Sequence, residues 1–201
     1  MSHLDAVFDD EPMASLEWPI PREWPLSPNI RTNAMKTLWL VRHAKSSWDD
    51  AALADRDRPL ADRGWRDVAK MGRRLAQRGV TPDLILSSPT IRALATAEAI
   101  ARALDYGRKH IVVDDRLYTC QADDLLEVVQ ALGDQPKSVL LVGHNPELSE
   151  FAHLLSSEIT YLPTCTVAEF RFATKSWAEV GKIPSERVML DYPKKKGRGA
   201  P

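Results

Sequence analysis

Apolar positions along this chain fall into short continuous runs separated by amphipathic stretches. Residues 36–41 (KTLWLV), 83–86 (DLIL), 110–113 and 138–142 (SVLLV) are brief, unbroken and bounded by polar or turn-forming residues, which predicts strands. Residues 64–78 carry Trp65, Val68, Met71 and Leu75 at helical spacing, opposite Arg66, Asp67, Arg73, Arg74 and Arg78. Gly79 stops that helix and Pro82 prevents its return. Residues 90–104 place Leu94, Ala97, Ala101 and Leu104 on one helical face. Residues 122–132 (Leu125, Leu126, Val128, Val129, Leu132) and 146–155 (Leu148, Phe151, Leu155) predict two more helices. Residues 166–172 alternate, with Thr166, Ala168, Phe170 and Phe172 on one side, and residues 187–190 form a last strand candidate. Strands separated by helices predict a three-layer α/β/α sandwich with a mostly parallel central sheet and helices on both faces.

Composition then narrows the class. The 201 residues are 44% hydrophobic and 27% charged, enough for one sizeable core. A formal charge of −1 argues against a general nucleic-acid binder. No apolar run reaches the ~18–20 residues of a membrane helix, and the first residues lack the basic-then-apolar order of a secretory signal. A cytoplasmic protein with no membrane partner is expected. Cys120 and Cys165 match neither a disulfide framework nor a Cys-x-x-Cys site and read as reduced thiols.

Charge and proline content divide the chain into three. Residues 1–34 hold five prolines, no glycine and six acidic against two basic side chains, and read as a poorly ordered arm. Met35 opens the first strand pattern and is a candidate start in its own right. Residues 35–193 form the globular body. Lys194, Lys195, Lys196 and Arg198 belong to a basic tail over 194–201, read as solvated, with an anion or nucleic-acid contact as the disfavoured alternative.

In sheets of this kind, ligands bind beyond the carboxyl ends of the strands. Arg42-His43-Ala44-Lys45-Ser46-Ser47-Trp48 leaves the first strand. Ser87-Ser88-Pro89 leaves the second, with Arg92 on the helix that follows, and Gly143-His144-Asn145-Pro146 leaves the 138–142 strand. Of the five histidines, only His43 and His144 stand directly past a buried strand. Two guanidiniums, two imidazoles and two helix N-termini suit a phosphoryl dianion. The guanidiniums form paired charge-assisted hydrogen bonds, and a neutral imidazole is a nucleophile toward phosphorus. Each piece has an ordinary structural reading as well. Ser88 is a helix cap with Pro89 at the first position, Asn145 a turn residue, and Arg92 a solvated side chain. A zinc site through His43 and His144 lacks a third ligand at helical spacing. Ala44-Lys45-Ser46 lacks the glycines of a Walker loop.

The joint order of these motifs resembles the histidine phosphatase superfamily, and within it the SixA-type phosphohistidine phosphatases. The resembling stretches are LWLVRHAKSSW (38–48), DRPLADRG (57–64), DLILSSPTIRALATAE (83–98), DDRLY (114–118), LLVGHNPEL (140–148) and LPTCTVAEF (162–170). The resemblance implies a phosphoglycerate mutase-like fold and no metal or other cofactor. It implies that His43 is the phosphorylated nucleophile, with Arg42, Arg92 and His144 around the phosphoryl group. Larger members place an acid after a middle strand, and the corresponding candidate proton donor here is Asp115, whose plain alternative is a loop carboxylate paired with Arg116. Glu147 departs from the branch, where glycine usually follows GHNP, and is expected to face solvent.

Connections between the motifs are short and leave little chain for a lid. The expected substrate is therefore phosphohistidine on another protein. A general phosphomonoesterase, or a sugar-phosphate or phosphoglycerate-type phosphatase acting on small metabolites, is the alternative. A non-catalytic phospho-ligand binder is disfavoured because His43 and both arginines are present.

Overall fold

A computed structural model describes residues 35–194; the 1–34 arm and residues 195–201 of the basic tail lie outside the described residues. Six strands form one sheet in the order β3-β2-β4-β1-β5-β6. The strands are β1 (Lys36–Arg42), β2 (Leu84–Ser87), β3 (Ile111–Val113), β4 (Ser138–Gly143), β5 (Val167–Phe172) and β6 (Arg187–Asp191). β3, β2, β4 and β1 are mutually parallel, whereas β5 pairs antiparallel with both β1 and β6.

The four helices are α1 (Asp62–Gln77), α2 (Ile91–Ala103), α3 (Ala122–Gln130) and α4 (Glu147–Leu155). Side chains alternate across a strand, so each central strand feeds two cores. Leu38 and Leu40 of β1 pack with Leu125, Val128 and Val129 of α3 and Leu148, Phe151 and Leu155 of α4. Trp39 and Val41 face the other way, toward Val68, Met71 and Leu75 of α1 and Ala93, Ala97 and Ile100 of α2. Coverage on both faces is why KTLWLV reads as an unbroken apolar run rather than an alternating one. The architecture is the expected three-layer α/β/α sandwich around a mostly parallel sheet.

Local details depart from the periodicity. The buried stripe of α1 runs through Gly64, Val68, Met71, Gly72 and Leu75, and Trp65 is left exposed. The start of α1 lies so close to the loop after β1 that a Cβ at position 64 would overlap the Lys45 carbonyl oxygen. There the stripe needs a glycine rather than a large ring. α2 is capped by Thr90, whose side chain accepts from the Ala93 amide, so the helix starts later than a Ser88 cap predicts. Its inner face includes Arg92 and Thr96, two polar side chains a hydrophobic pattern does not count as buried.

Register sets the site. Arg42 lies opposite Gly143 and Ser87 opposite Val142. One further hydrogen bond continues each ladder, from the His43 amide to the Gly143 carbonyl and from the Ser88 amide to the Val142 carbonyl, both 3.0 Å. His43, Ser88 and His144 therefore leave the sheet at one level, on the carboxyl side of three adjacent parallel strands.

Candidate active site

Backbone geometry at the end of β1 fixes the tautomer of His43. Its Nδ1 lies 2.7 Å from the Ala44 carbonyl oxygen. A carbonyl only accepts, so Nδ1 carries the ring proton and Nε2 keeps its lone pair. Burial lowers the pKa of His43, the Ala44 contact offsets part of the drop, and Arg92 and Arg42 lower it further, to about 4. The ring is 8% exposed and neutral at physiological pH. Thr96 fixes the loop from behind: its Oγ1 accepts from the Ala44 amide at 3.0 Å and donates to the Arg92 carbonyl at 2.7 Å. One hydroxyl thus ties the His43 loop to the helix that carries Arg92.

His144 stands beside it, the two ring centroids 5.0 Å apart. Arg92 Nη2 lies 3.4 Å from His144 Nδ1, and Nε2 lies 2.7 Å from Ser88 Oγ and 3.4 Å from Thr90 Oγ1. A guanidinium only donates, so Nδ1 accepts and Nε2–H donates toward the two hydroxyls. Burial first, then His43 and Arg92, push the His144 pKa down to about 3.

The two arginines are held differently. Arg92 is buried; it donates to the Asp55 carbonyl through Nη1 and to the Asp55 carboxylate through Nη2 at 2.7 Å. Arg42 donates through Nη1 to the Tyr161 hydroxyl at 2.9 Å and to the Leu162 carbonyl at 2.8 Å. Its Nε is buried and has no acceptor among the described residues. An unsatisfied buried charged donor is costly unless a ligand meets it.

Arg42, His43, Arg92 and His144 are thus brought together, whereas Asp115 is not. Its side chain is 72% exposed and pairs with Arg56 at 3.3 Å, and the expected partner Arg116 pairs instead with Asp114 at 2.7 Å. The carboxylate at the centre is that of Asp55, on a short turn over Asp55–Asp57. It is bound by Arg92, by Arg58 at 3.2 Å and by the Tyr118 hydroxyl at 3.3 Å. Its charge acts on both histidines, and that of Asp115 is not among those acting on either. Burial opposes ionisation of Asp55, but the Arg92 and Arg58 hydrogen bonds outweigh it and hold the carboxyl below its usual range.

Glu147 also differs from expectation. Its Oε2 is buried without a partner, and its charge, after burial, helps raise the Cys120 pKa to about 11. The side chain on the first turn of α4 is thus partly covered rather than fully in solvent. Cys120 and Cys165 are both free and buried. Among the described residues, no group of three or more His, Cys, Asp or Glu side chains stands in a metal-holding arrangement.

Known proteins place this geometry in a family. The profile of the histidine phosphatase superfamily (branch 1) matches residues 38–129. A protein from Agrobacterium tumefaciens assigned as the phosphohistidine phosphatase SixA is 30% identical, covering 67% of this chain and 91% of that one with a TM-score of 0.61. The chain belongs to the histidine phosphatase superfamily. A SixA protein histidine phosphatase solved with tungstate has the same fold, with a TM-score of 0.66 at 23% identity over 78% of this chain and 97% of that one. An uncharacterized chloroplastic protein of Arabidopsis thaliana is 33% identical over 156 residues, 74% of this chain and 72% of its own. Membership of the superfamily and likeness to its SixA-type branch support a phosphatase acting on phosphorylated substrates. No helix among the described residues is long and apolar enough to cross a membrane.

Four side chains at this centre receive no role from the sequence. Tyr118 and Thr96 lie inside the resembling stretches 114–118 and 83–98, whereas Asp55 and Tyr161 stand just outside 57–64 and 162–170.

The histidine shifts carry a pH consequence. Both rings bind a proton more weakly folded than unfolded, so their contribution to stability is complete above the ordinary value near 6.5. It is lost as the pH falls toward about 4 for His43 and about 3 for His144. Denaturant midpoints are expected to be flat from pH 8 to 7 and to drop between pH 6 and 4. Replacing both histidines by Asn should flatten that drop.

Proposed function

We propose that this protein hydrolyses phosphohistidine on protein substrates through a phosphorylated His43. The reading rests on one observation above the others: a neutral His43 with its proton held on Nδ1 by the Ala44 carbonyl, leaving Nε2 free beside Arg92 and His144. Nε2 attacks phosphorus, the bond from phosphorus to the leaving group breaks, and the phosphoryl group passes to His43. Water then attacks phosphorus, the P–N bond to His43 breaks, inorganic phosphate leaves, and His43 regains its lone pair. Arg42 and Arg92 balance the charge spread over the phosphoryl oxygens, and His144, its Nε2–H turned toward Ser88 and Thr90, packs beside the His43 ring. The tungstate held by a SixA structure is a tetrahedral oxyanion of the kind this set of donors suits.

Leaving-group chemistry favours phosphohistidine over alkyl esters. An alkoxide needs a proton as it departs, and the carboxyl at this centre, Asp55, is kept ionised by Arg92 and Arg58. Imidazole departs as a neutral ring when its second nitrogen is protonated, and so asks less of a general acid. The reaction as drawn uses no metal; EDTA is expected to leave the rate unchanged, and inhibition reversed by added zinc would sink that part of the proposal. Two buried free thiols suit a reducing compartment such as the cytoplasm.

The decisive comparison sets a phosphohistidine-bearing protein against sugar phosphates and phosphoglycerate. Phosphohistidine should be preferred in kcat/KM by orders of magnitude, and the reverse order would replace this reading with the small-metabolite one.

A further inference from the structure

Three aromatic side chains stand around the centre, and the phosphoryl chemistry above leaves them unused. Tyr161 is 59% exposed, accepts from Arg42 at 2.9 Å and has its ring 5.6 Å from the guanidinium carbon. Tyr118 is half-buried, meets the His144 ring edge-on at 5.7 Å and donates to Asp55. Trp48, 70% exposed, lies 3.2 Å from the Arg58 guanidinium, which in turn holds Ser46 Oγ and Asp55. Single exposed aromatics are ordinary on protein surfaces. Here each of the three touches a group that belongs to the site or holds it in place, and Tyr161 and Tyr118 border its Arg42 and His144 sides.

We infer that Tyr161 is a positioning and specificity-determining residue, whose hydroxyl aims Arg42 at the phosphoryl group and whose ring forms a wall for a flat aromatic leaving group. The inference rests on the phosphatase reading and narrows its substrates. The leaving ring of phosphohistidine is bonded directly to phosphorus, so it must lie at the rim of the phosphoryl site, where a tyrosine face meets it. An alkyl leaving group offers no π-face there and gains little from the ring. Among the described residues Arg42 has no carboxylate partner. The Tyr161 hydroxyl and the Leu162 carbonyl orient it without neutralising its charge.

Two variants of the full chain, Tyr161→Phe and Tyr161→Leu, separate the two roles. The measurements are tungstate affinity by calorimetry and kcat/KM on a phosphohistidine peptide, phenyl phosphate and glycerol phosphate. Tyr161→Phe removes the hydroxyl and keeps the ring. Tungstate affinity and all three kcat/KM values are expected to fall by a similar factor, about 3- to 10-fold, with the preference for aromatic leaving groups retained. Tyr161→Leu is expected to remove that preference as well, reducing the phenyl-to-glycerol ratio by about 3- to 10-fold. General loss of structure would not move that ratio. Unchanged tungstate affinity in Tyr161→Phe, or an unchanged ratio in Tyr161→Leu, overturns the inference. A wild-type chain that binds tungstate but forms no phosphorylated His43 overturns the phosphatase reading instead, since the calorimetric comparison does not depend on turnover.

Discussion

Replacing His43 by Ala should abolish phosphohistidine hydrolysis, by at least about 10³-fold, and leave the fold intact. The size of the effect follows from the role: with Nε2 gone, no group at the centre replaces it. His144 Nε2 faces Ser88 and Thr90, and its Nδ1 faces a guanidinium. Stability should change little, because the His43 ring lies at a strand end rather than between the sheet and its helices. Among the described residues the ring's one direct hydrogen bond is to the neighbouring carbonyl. Rapid-quench labelling with a phosphorylated substrate should show an acid-labile phosphate on wild-type His43 and none in the variant. Full activity in His43→Ala would end the nucleophile assignment.

Arg92→Lys should cost about 10²- to 10³-fold in kcat even though the charge is kept. Arg92 uses its fork in three directions: the Asp55 carbonyl, the Asp55 carboxylate and His144 Nδ1. An ammonium on a flexible stem cannot hold that set together. Loss of the fork also frees Asp55, and with it the turn that Arg58 and Tyr118 share. The loss should therefore appear in kcat and in tungstate affinity together. An unchanged rate would place Arg92 outside the reacting centre. The corresponding Lys at Arg58 is a useful contrast: Arg58 touches Asp55, Ser46 and the Trp48 ring but neither histidine, so a smaller loss is expected.

Much of this was legible in the residue order. The doubly covered strands announced themselves as unbroken apolar runs, and parallel strands put their carboxyl ends on one rim. The residues following those runs, Arg42-His43, Ser87-Ser88 and His144, were therefore bound to share an edge once the strands became neighbours. Arg92 came with them, because it sits on the first turn of the helix entered from β2. The antiparallel β5 was less visible. Its alternation marks a strand without fixing its neighbours, which depend on where the loop before it returns to β1.

Linear pattern failed where a side chain's partner lies far along the chain. Asp114 and Asp115 are adjacent and chemically alike. The turn after β3 gives Asp114 to Arg116, and Asp115 meets Arg56 from a different loop. Asp55 reaches Arg92 across 37 residues, and Tyr161 reaches Arg42 across 119. Glu147 sits on a first helical turn, where solvent is the usual choice, yet one of its carboxylate oxygens is buried and its charge reaches Cys120.

Layering, strand ends and the identity of the two imidazoles and two guanidiniums follow from local periodicity and from the rule that parallel strands share a direction, both properties of contiguous residues. The protonation of His43, the ionised state of Asp55, the seat of Asp115 and the tyrosine beside Arg42 follow from distances between loops. Those distances exist only after the sheet has assembled and burial has set the cost of each charge.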